Sequence, residues 1–281
     1  MDFRGKTLFN ASFDVYANNY DEVRPSYPDE LFDDIYKVCD ITDTNRILEI
    51  GAGSGISTKK LGNFNCRIVA VEPGESLCKI ARASVANNNK IQVINSTFED
   101  FSTTEKFEAI ATFTALHWLK NEDVYPKLLN LLAEDGKLIT VWNSFLKAEN
   151  TTTKEIEDLY QKWLPDIYAP KTTKEVNEGV LNKLNGRIAQ IAHNPYFNLI
   201  FLNRYLTHYN YDEKTYPQLL KTFPKIIDIG DDDKREGFLD EVSKVIAKHK
   251  VITVPVLSTL LVSQKKVDFL NQLVREEKEK C

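Results

Sequence analysis

Residues suited to metal sites and disulfide frameworks are scarce in this 281-residue chain, which has four cysteines and four histidines. Cys39, Cys66, Cys78 and Cys281 form no C-x-x-C pair and keep no metal-ligand spacing with the histidines, so no metal site and no disulfide scaffold is expected. Reduced thiols fit a cytoplasmic protein. Long apolar runs are missing as well. The opening MDFRGKTLFNASFDVY carries charges where a signal peptide needs an apolar core, and no run approaches the ~18 apolar residues of a membrane span. Nor is there an excess of positive charge: 36 basic residues face 41 acidic ones, a net charge of -5. A polyanion therefore gains nothing from the overall field, and the expected partner is a small molecule rather than nucleic acid or a membrane surface.

What is present is alternation. RILEI (46–50), RIVAVE (67–72), IQVIN (91–95), FEAIATF (107–113) and KLITVW (137–142) are nearly continuous apolar runs, as expected of strands covered on both faces. Between them STKKLG, SLCKIARASVA and VYPKLLNLLA repeat apolar residues at helical spacing. This is the pattern of βαβ units and a parallel sheet. DELFDDIYKVC, started by Pro28 and Asp29, predicts one more helix before the first strand. Beyond Trp142 the regularity changes. Helices are expected over 151–164 and 173–192, a strand at FNLIFLNRYLTHY, a helix near TYPQLLKTF, an acidic turn at Asp231–Asp233, a helix to Lys250 and a last strand VITVPVLSTLLV.

The most informative stretch is ILEIGAGSGISTKKL. A strand ending near Glu49 runs through Gly51, Gly53 and Gly55 into a helix, which allows a tight turn, close ligand approach and free N–H groups at the helix start. Seventeen residues after Gly55 the second strand ends on Glu72, placed to accept hydrogen bonds from a ribose. Dinucleotide-binding domains share these features, so an NAD-dependent dehydrogenase is an alternative. Its G-x-G-x-x-G fingerprint needs a third small residue, however, and that position is Ile56 counted from Gly51 or Thr58 counted from Gly53.

With E-x-G-x-G-x-G and an acidic second-strand end, the chain resembles the class I S-adenosylmethionine-dependent methyltransferases of the type 11/12-like, small-molecule kind. NSTFEDF, ATFTALHWL, LAEDGKLITVWN and the run from Tyr20 to Pro28 (Y-x-x-x-R-P-x-Y-P) carry the resemblance across most of the chain. It implies a Rossmann-like, seven-stranded, mostly parallel sheet with helices on both faces and a helical cap inserted late. Residues 1–45 would close the cofactor site, 46–143 would form the S-adenosylmethionine-binding core, and 144–281 would supply the cap and the last two strands, all in one integrated domain.

The resemblance also implies roles. Glu49, Gly51, Ala52 and Gly53 would lie by the methionine part of S-adenosylmethionine, Glu72 at the ribose, Pro73, Thr97, Phe98 and Glu99 around the adenine, and Thr112 by the amino group. Tyr20 and Arg24 would close the site, Arg24 facing the carboxylate. Blander roles are open for three of these: Glu49 as a loop organiser, Phe98 as core and Arg24 as a surface ion pair.

On the acceptor side, His117, Trp118, Trp142 and Asn143 follow the fourth and fifth strands, at the edge where ligands bind in open α/β sheets. His117 is the candidate catalytic base, or else a helix-start residue; Asn143 could instead cap the next segment. The tetrapeptide N-P-P-Y, which similar enzymes use on adenine or glutamine amides, is replaced by ATFTAL. Similar methyltransferases include ones that esterify small carboxylic acids, and this resemblance makes O-methylation of a carboxylic acid the expected reaction. A non-catalytic cofactor-binding protein of the same fold is the alternative from another class. Aromatic residues of the cap such as Tyr160, Trp163 and Tyr209 could enclose an acceptor, although their spacing also suits a core.

Overall fold

A computed structural model describes residues 20–119, 121–165, 168–227, 229 and 231–266. Tyr20 enters that description by its backbone only, and Cys281 lies outside it. In chain order the elements are α1 (Tyr20–Val23), α2 (Asp29–Val38), β1 (Arg46–Ile50), α3 (Ile56–Leu61), β2 (Arg67–Glu72), α4 (Glu75–Ser84), β3 (Ile91–Asn95) and β4 (Phe107–Phe113). Then come α5 (Asn121–Leu131), β5 (Leu132–Phe145), α6 (Thr151–Trp163), α7 (Thr173–Ala192), β6 (Phe197–Tyr211), α8 (Thr215–Lys221), α9 (Pro224–Ile227), α10 (Asp232–His249) and β7 (Ile252–Lys265).

All seven strands join one sheet of order β3-β2-β1-β4-β5-β7-β6. The first five are parallel, and β7 runs antiparallel between β5 and β6. The chain winds outward from β1 to β3, then returns to place β4 on the other side of β1. This reversal leaves a crevice at the carboxyl ends of β1 and β4, where the helices on either side diverge.

Alternation along the strands divides the core. Leu48, Ile50, Ile110, Leu138, Trp142 and Leu261 face α5 and α7, which contribute Leu128, Leu131, Leu184 and Ile191. Ile47, Ala109, Ala111, Ile139, Leu260 and Val262 face Leu31, Phe32 and Ile35 of α2. A third cluster packs α6, α8 and α10 against the far ends of β6 and β7 through Ile156, Leu219, Phe238, Val242 and Val254. Tyr160, Trp163, Tyr168 and Tyr209 are packed against that cluster, so their apolar bodies serve the core.

Strand limits are where pattern and structure differ. The fifth strand, expected over 137–142, spans Leu132–Phe145 and shortens the preceding helix, which ends at Leu131. Leu132 pairs with Phe107 across a register shift, and Phe145 pairs with Val256 of the long antiparallel β7. Backbone pairing thus runs on through Asn143 and Ser144, where the apolar signal had stopped, while 133–136 fall in the register shift between Leu132 and Lys137. At the expected acidic turn, Asp231 caps α10, its carboxylate accepting from Lys234 N at 3.0 Å.

Candidate active site

Three glycines shape the turn after β1, each for its own reason. All have positive φ: +72° at Gly51, +58° at Gly53 and +93° at Gly55. A Cβ on Gly51 would stand 2.5 Å from the Cβ of Ala115, and one on Gly55 would stand 2.7 Å from Ser84 Oγ and 3.2 Å from Ala81 Cα. Gly51 therefore lets the loop pass the end of β4, and Gly55 lets α3 pack on α4. Around Gly53 nothing lies within 4 Å of a Cβ position, so its open side faces the crevice. Val71 O fastens the loop to β2 by accepting from Gly51 N at 2.8 Å and Ala52 N at 3.1 Å.

Glu49 is completely buried under this loop. Its carboxylate accepts from the hydroxyls of Ser57 and of Thr58, the latter at 2.6 Å, which joins β1 to the first turn of α3. Burial pushes its pKa up to about 7 against the pull of these two hydrogen bonds, and the charge of Glu72 pushes the same way. Because the folded-state value lies above the unfolded value near 4.5, the folded chain holds this proton more tightly, and stability is lost as pH rises from about 4.5 to 7. The loss amounts to about 3 kcal/mol. Glu49→Gln removes it: melting temperatures of variant and wild type are expected to agree near pH 5, with the variant melting higher at pH 8. Parallel melting profiles across that range would contradict the assignment.

At the end of β2, Glu72 accepts from Gly53 N and from Gly74 N, both at 2.8 Å. One carboxylate thereby sets both the glycine loop and the turn after β2. Asn95 Nδ2 donates to the carbonyls of Glu72 at 2.9 Å and Pro73 at 3.0 Å, tying β3 to the same turn. Thr97 forms a local turn with Asp100. Phe98 is buried in the core beside the β1–β2 face, with Lys127 Nζ 4.9 Å from its ring centroid, and Glu99 is exposed. Pro73 is exposed at the rim, and Thr112 is fully buried at the end of β4 with no partner for its Oγ1.

The segment after α1 runs beside the carboxyl ends of β4 and β5 and is held by the late half of the chain. Tyr211 Oη donates to Val23 O at 2.9 Å and Tyr209 Oη to Ser26 O at 2.8 Å. Asn143 Nδ2 reaches Pro25 O and Ser26 O at 3.2 and 3.3 Å, while its Oδ1 accepts from Ser258 Oγ at 2.5 Å. Arg24 donates to Thr222 O at 2.7 Å and lies 5.0 Å from the Phe223 ring centroid. Asn143 and Arg24 thus fasten this strap over the sheet edge. Thr114, which the pattern did not single out, joins in: at φ +57° its Oγ1 lies 3.2 Å from Tyr27 Oη and accepts from Asn143 N at 3.2 Å.

His117 and Trp118 sit in a 3-10 turn after β4, ring centroids 4.7 Å apart. Trp118 is exposed, whereas Trp142 is buried in the core at 2% exposure. Burial, helped by the charges of Arg187 and Lys183, pulls the pKa of His117 down to about 3. The imidazole is neutral at any physiological pH, and its buried Nδ1 has no hydrogen-bond partner. A groove of about 670 Å³ lies elsewhere, between α2 and the loops that enter β1 and β2, at the amino edge and away from these groups.

An antiparallel β7 inserted between β5 and β6 distinguishes this sheet from the dinucleotide-binding fold, whose classic strand order is 3-2-1-4-5-6 in a mostly parallel sheet. It is the sheet of the class I methyltransferases, for which S-adenosylmethionine is the methyl donor. The profile of the family described as ribosomal RNA adenine dimethylase matches residues 29–188, more than half of the chain, and the chain belongs to that family. It is 26% identical over 175 residues to a protein of Dictyostelium discoideum described as a methyltransferase, covering 61% of this chain and 65% of that one. A Saccharomyces cerevisiae protein described as an S-adenosylmethionine-dependent methyltransferase is 26% identical over 183 residues, 63% of this chain and 61% of that one. The match therefore spans somewhat under two thirds of these relatives. Among solved structures, one described as a type II methyltransferase from Anaeromyxobacter dehalogenans superposes with a TM-score of 0.56, covering 86% of this chain and 96% of that one at 16% identity.

The crevice fits the cofactor of this class: Gly53 presents open backbone, Glu72 an acidic acceptor and Thr112 a buried hydroxyl in want of a partner. Among the described residues no cluster of metal-ligating side chains occurs, and no helix is long and apolar enough to cross a membrane.

Proposed function

We propose that the chain transfers the methyl group of S-adenosylmethionine to a carboxylate oxygen of a small organic acid. Glu72 would hold the ribose, Gly51, Ala52 and Gly53 the methionine part, and Pro73, Thr97, Phe98 and Glu99 the adenine side. Tyr20, Arg24 and Thr112 would close the site, with Glu49 holding the loop beneath it. Trp118, Trp142 and Asn143 would border the acceptor.

The observation that carries this reading is the setting of His117, whose buried Nδ1 has no partner and whose pKa burial pulls down to about 3. A hydroxyl or ammonium acceptor must lose a proton, and so weak a base contributes little to that. A carboxylate is already ionised: its oxygen bonds the methyl carbon as the carbon–sulfur bond breaks, the negative and positive charges cancel, and no proton moves. The chain then has to align the oxygen with the methyl group and keep water out, which the strap beside the crevice would serve.

Methylation of an RNA adenine is the second reading, favoured by the description of the family. Against it stand ATFTAL in place of N-P-P-Y at the end of β4 and a net charge of -5. Formation of S-adenosylhomocysteine should be followed with a panel of small carboxylic acids and, separately, with a ribosomal RNA fragment. Turnover on an acid, with a methyl ester detected by mass, is the expected result. Turnover on RNA alone would overturn the acceptor assignment, and tight cofactor binding without turnover on either would favour a non-catalytic role.

A further inference from the structure

A row of polar atoms without partners lies under α7. On the sheet face that α7 covers, Trp142 pairs in register with Thr259, and Thr140 pairs with Thr112. All four side chains are at most 2% exposed, and Trp142 Nε1 and the three threonine Oγ1 atoms have no hydrogen-bond partner. His117 Nδ1 is in the same condition at the end of β4. Buried polar atoms are seldom left unpaired, because their lost hydration is then not replaced. A contiguous group of them at the ligand edge of an α/β sheet points to a ligand that satisfies them.

The chemistry of that ligand follows from the donors. Arg187, half-buried on α7, stands 5.6 Å from the centroid of the Trp142 ring. Stacking satisfies the face of a guanidinium but leaves its N–H edge to be used, and no carboxylate among the described residues pairs with it. Burial accordingly disfavours its charge. An indole Nε1–H is also a donor only. Two donors, one of them cationic and partly desolvated, call for an anionic oxygen acceptor. Lys183, one helical turn before Arg187, adds to the positive field felt at His117.

We propose that Arg187 and the Nε1–H of Trp142 form an oxyanion subsite that holds a carboxylate of the small acceptor beside His117. This rests on the reading of the crevice as a methyl-transfer site and adds to it the residue that selects the acceptor. Access to the indole edge requires α7 to move outward; of its 20 residues only Leu184 and Ile191 are buried, with Ile188 packed beside them and Asn177 and Asn185 bonded to Lys147 and Arg204.

The test is nuclear magnetic resonance of the three indole N–H signals, with Trp142 assigned through Trp142→Phe, during titration with acetate against chloride at equal ionic strength. Acetate is expected to shift the Trp142 signal downfield, chloride is not, and Arg187→Gln should weaken the acetate response at least tenfold. Unchanged signals of Trp118 and Trp163 would verify the fold of that variant. No acetate-specific shift, or an equal one in Arg187→Gln, overturns the subsite. Calorimetric binding of S-adenosylhomocysteine to the same samples separates the two readings: if it persists, the methyl-transfer site stands without the subsite, and if it is absent, that site itself is refuted.

Discussion

Gly51→Val is expected to abolish cofactor binding at micromolar concentrations while the chain still folds. A residue with a Cβ at φ +72° pays about 1–2 kcal/mol for the left-handed conformation, and more when β-branched. In addition the new Cβ would stand 2.5 Å from Ala115 Cβ, an overpacking worth a further 1–3 kcal/mol or so. The loop can escape only by moving away from the end of β4, and Gly51 N and Ala52 N must then leave Val71 O. If the strain falls on the bound state, about 2–5 kcal/mol corresponds to a loss of roughly 30-fold to several thousand-fold in affinity. Calorimetry with S-adenosylmethionine reads the loss, and thermal unfolding shows how much falls on the fold instead. Gly53→Ala, where nothing crowds the Cβ, should cost the fold only its φ strain, so equal folding penalties at the two positions would contradict the division of labour among the glycines.

Glu72→Ala should lower affinity for S-adenosylmethionine by at least tenfold, the result of losing one charge-assisted hydrogen bond worth about 1.5–3 kcal/mol. The structure suggests a larger loss, because the same carboxylate holds Gly53 N and Gly74 N. Removing it leaves Gly53 N and Gly74 N unpaired, in addition to the loss proposed at the ribose. Glu72→Gln keeps the shape but presents one amide nitrogen toward a backbone N–H, so it should fall between wild type and alanine. Measured well below the melting temperature, unchanged affinity in Glu72→Ala would remove Glu72 from the site.

The turn after β1 and the end of β2 were legible because they obey local rules. Strand, positive-φ glycines and an acidic residue at a fixed distance are all written within 27 residues, from Arg46 to Glu72. The first four strands likewise ended where their apolar runs ended. What the pattern missed depends on distant pairing. The extra length of β5 at its carboxyl end comes from β7, more than 100 residues away in sequence, and only that partnership explains why Asn143 and Ser144 are strand residues. The strap shows the same. Tyr209 and Tyr211 look like any half-buried strand aromatics until their hydroxyls meet the carbonyls of Ser26 and Val23. Arg187 gave no signal at all, since a single arginine on a polar helix reads as a solvated face; its position over Trp142 became visible only with the fold.

For Glu49, of the two roles open in the sequence, the buried bonds to Ser57 and Thr58 account for the loop-ordering one. Trp142 and His117 illustrate a different limit. Sequence placed both at the ligand edge, but the burial of one and the depressed basicity of the other arise from the packing of α7 and are not local properties.

The central claim, a cofactor crevice built from the glycine loop and Glu72, is tested most directly by calorimetric titration with S-adenosylmethionine and, in parallel, with NAD. Micromolar binding of S-adenosylmethionine at one site per chain, with no heat from NAD, is the predicted result; binding of NAD, or no binding of S-adenosylmethionine, would contradict the account.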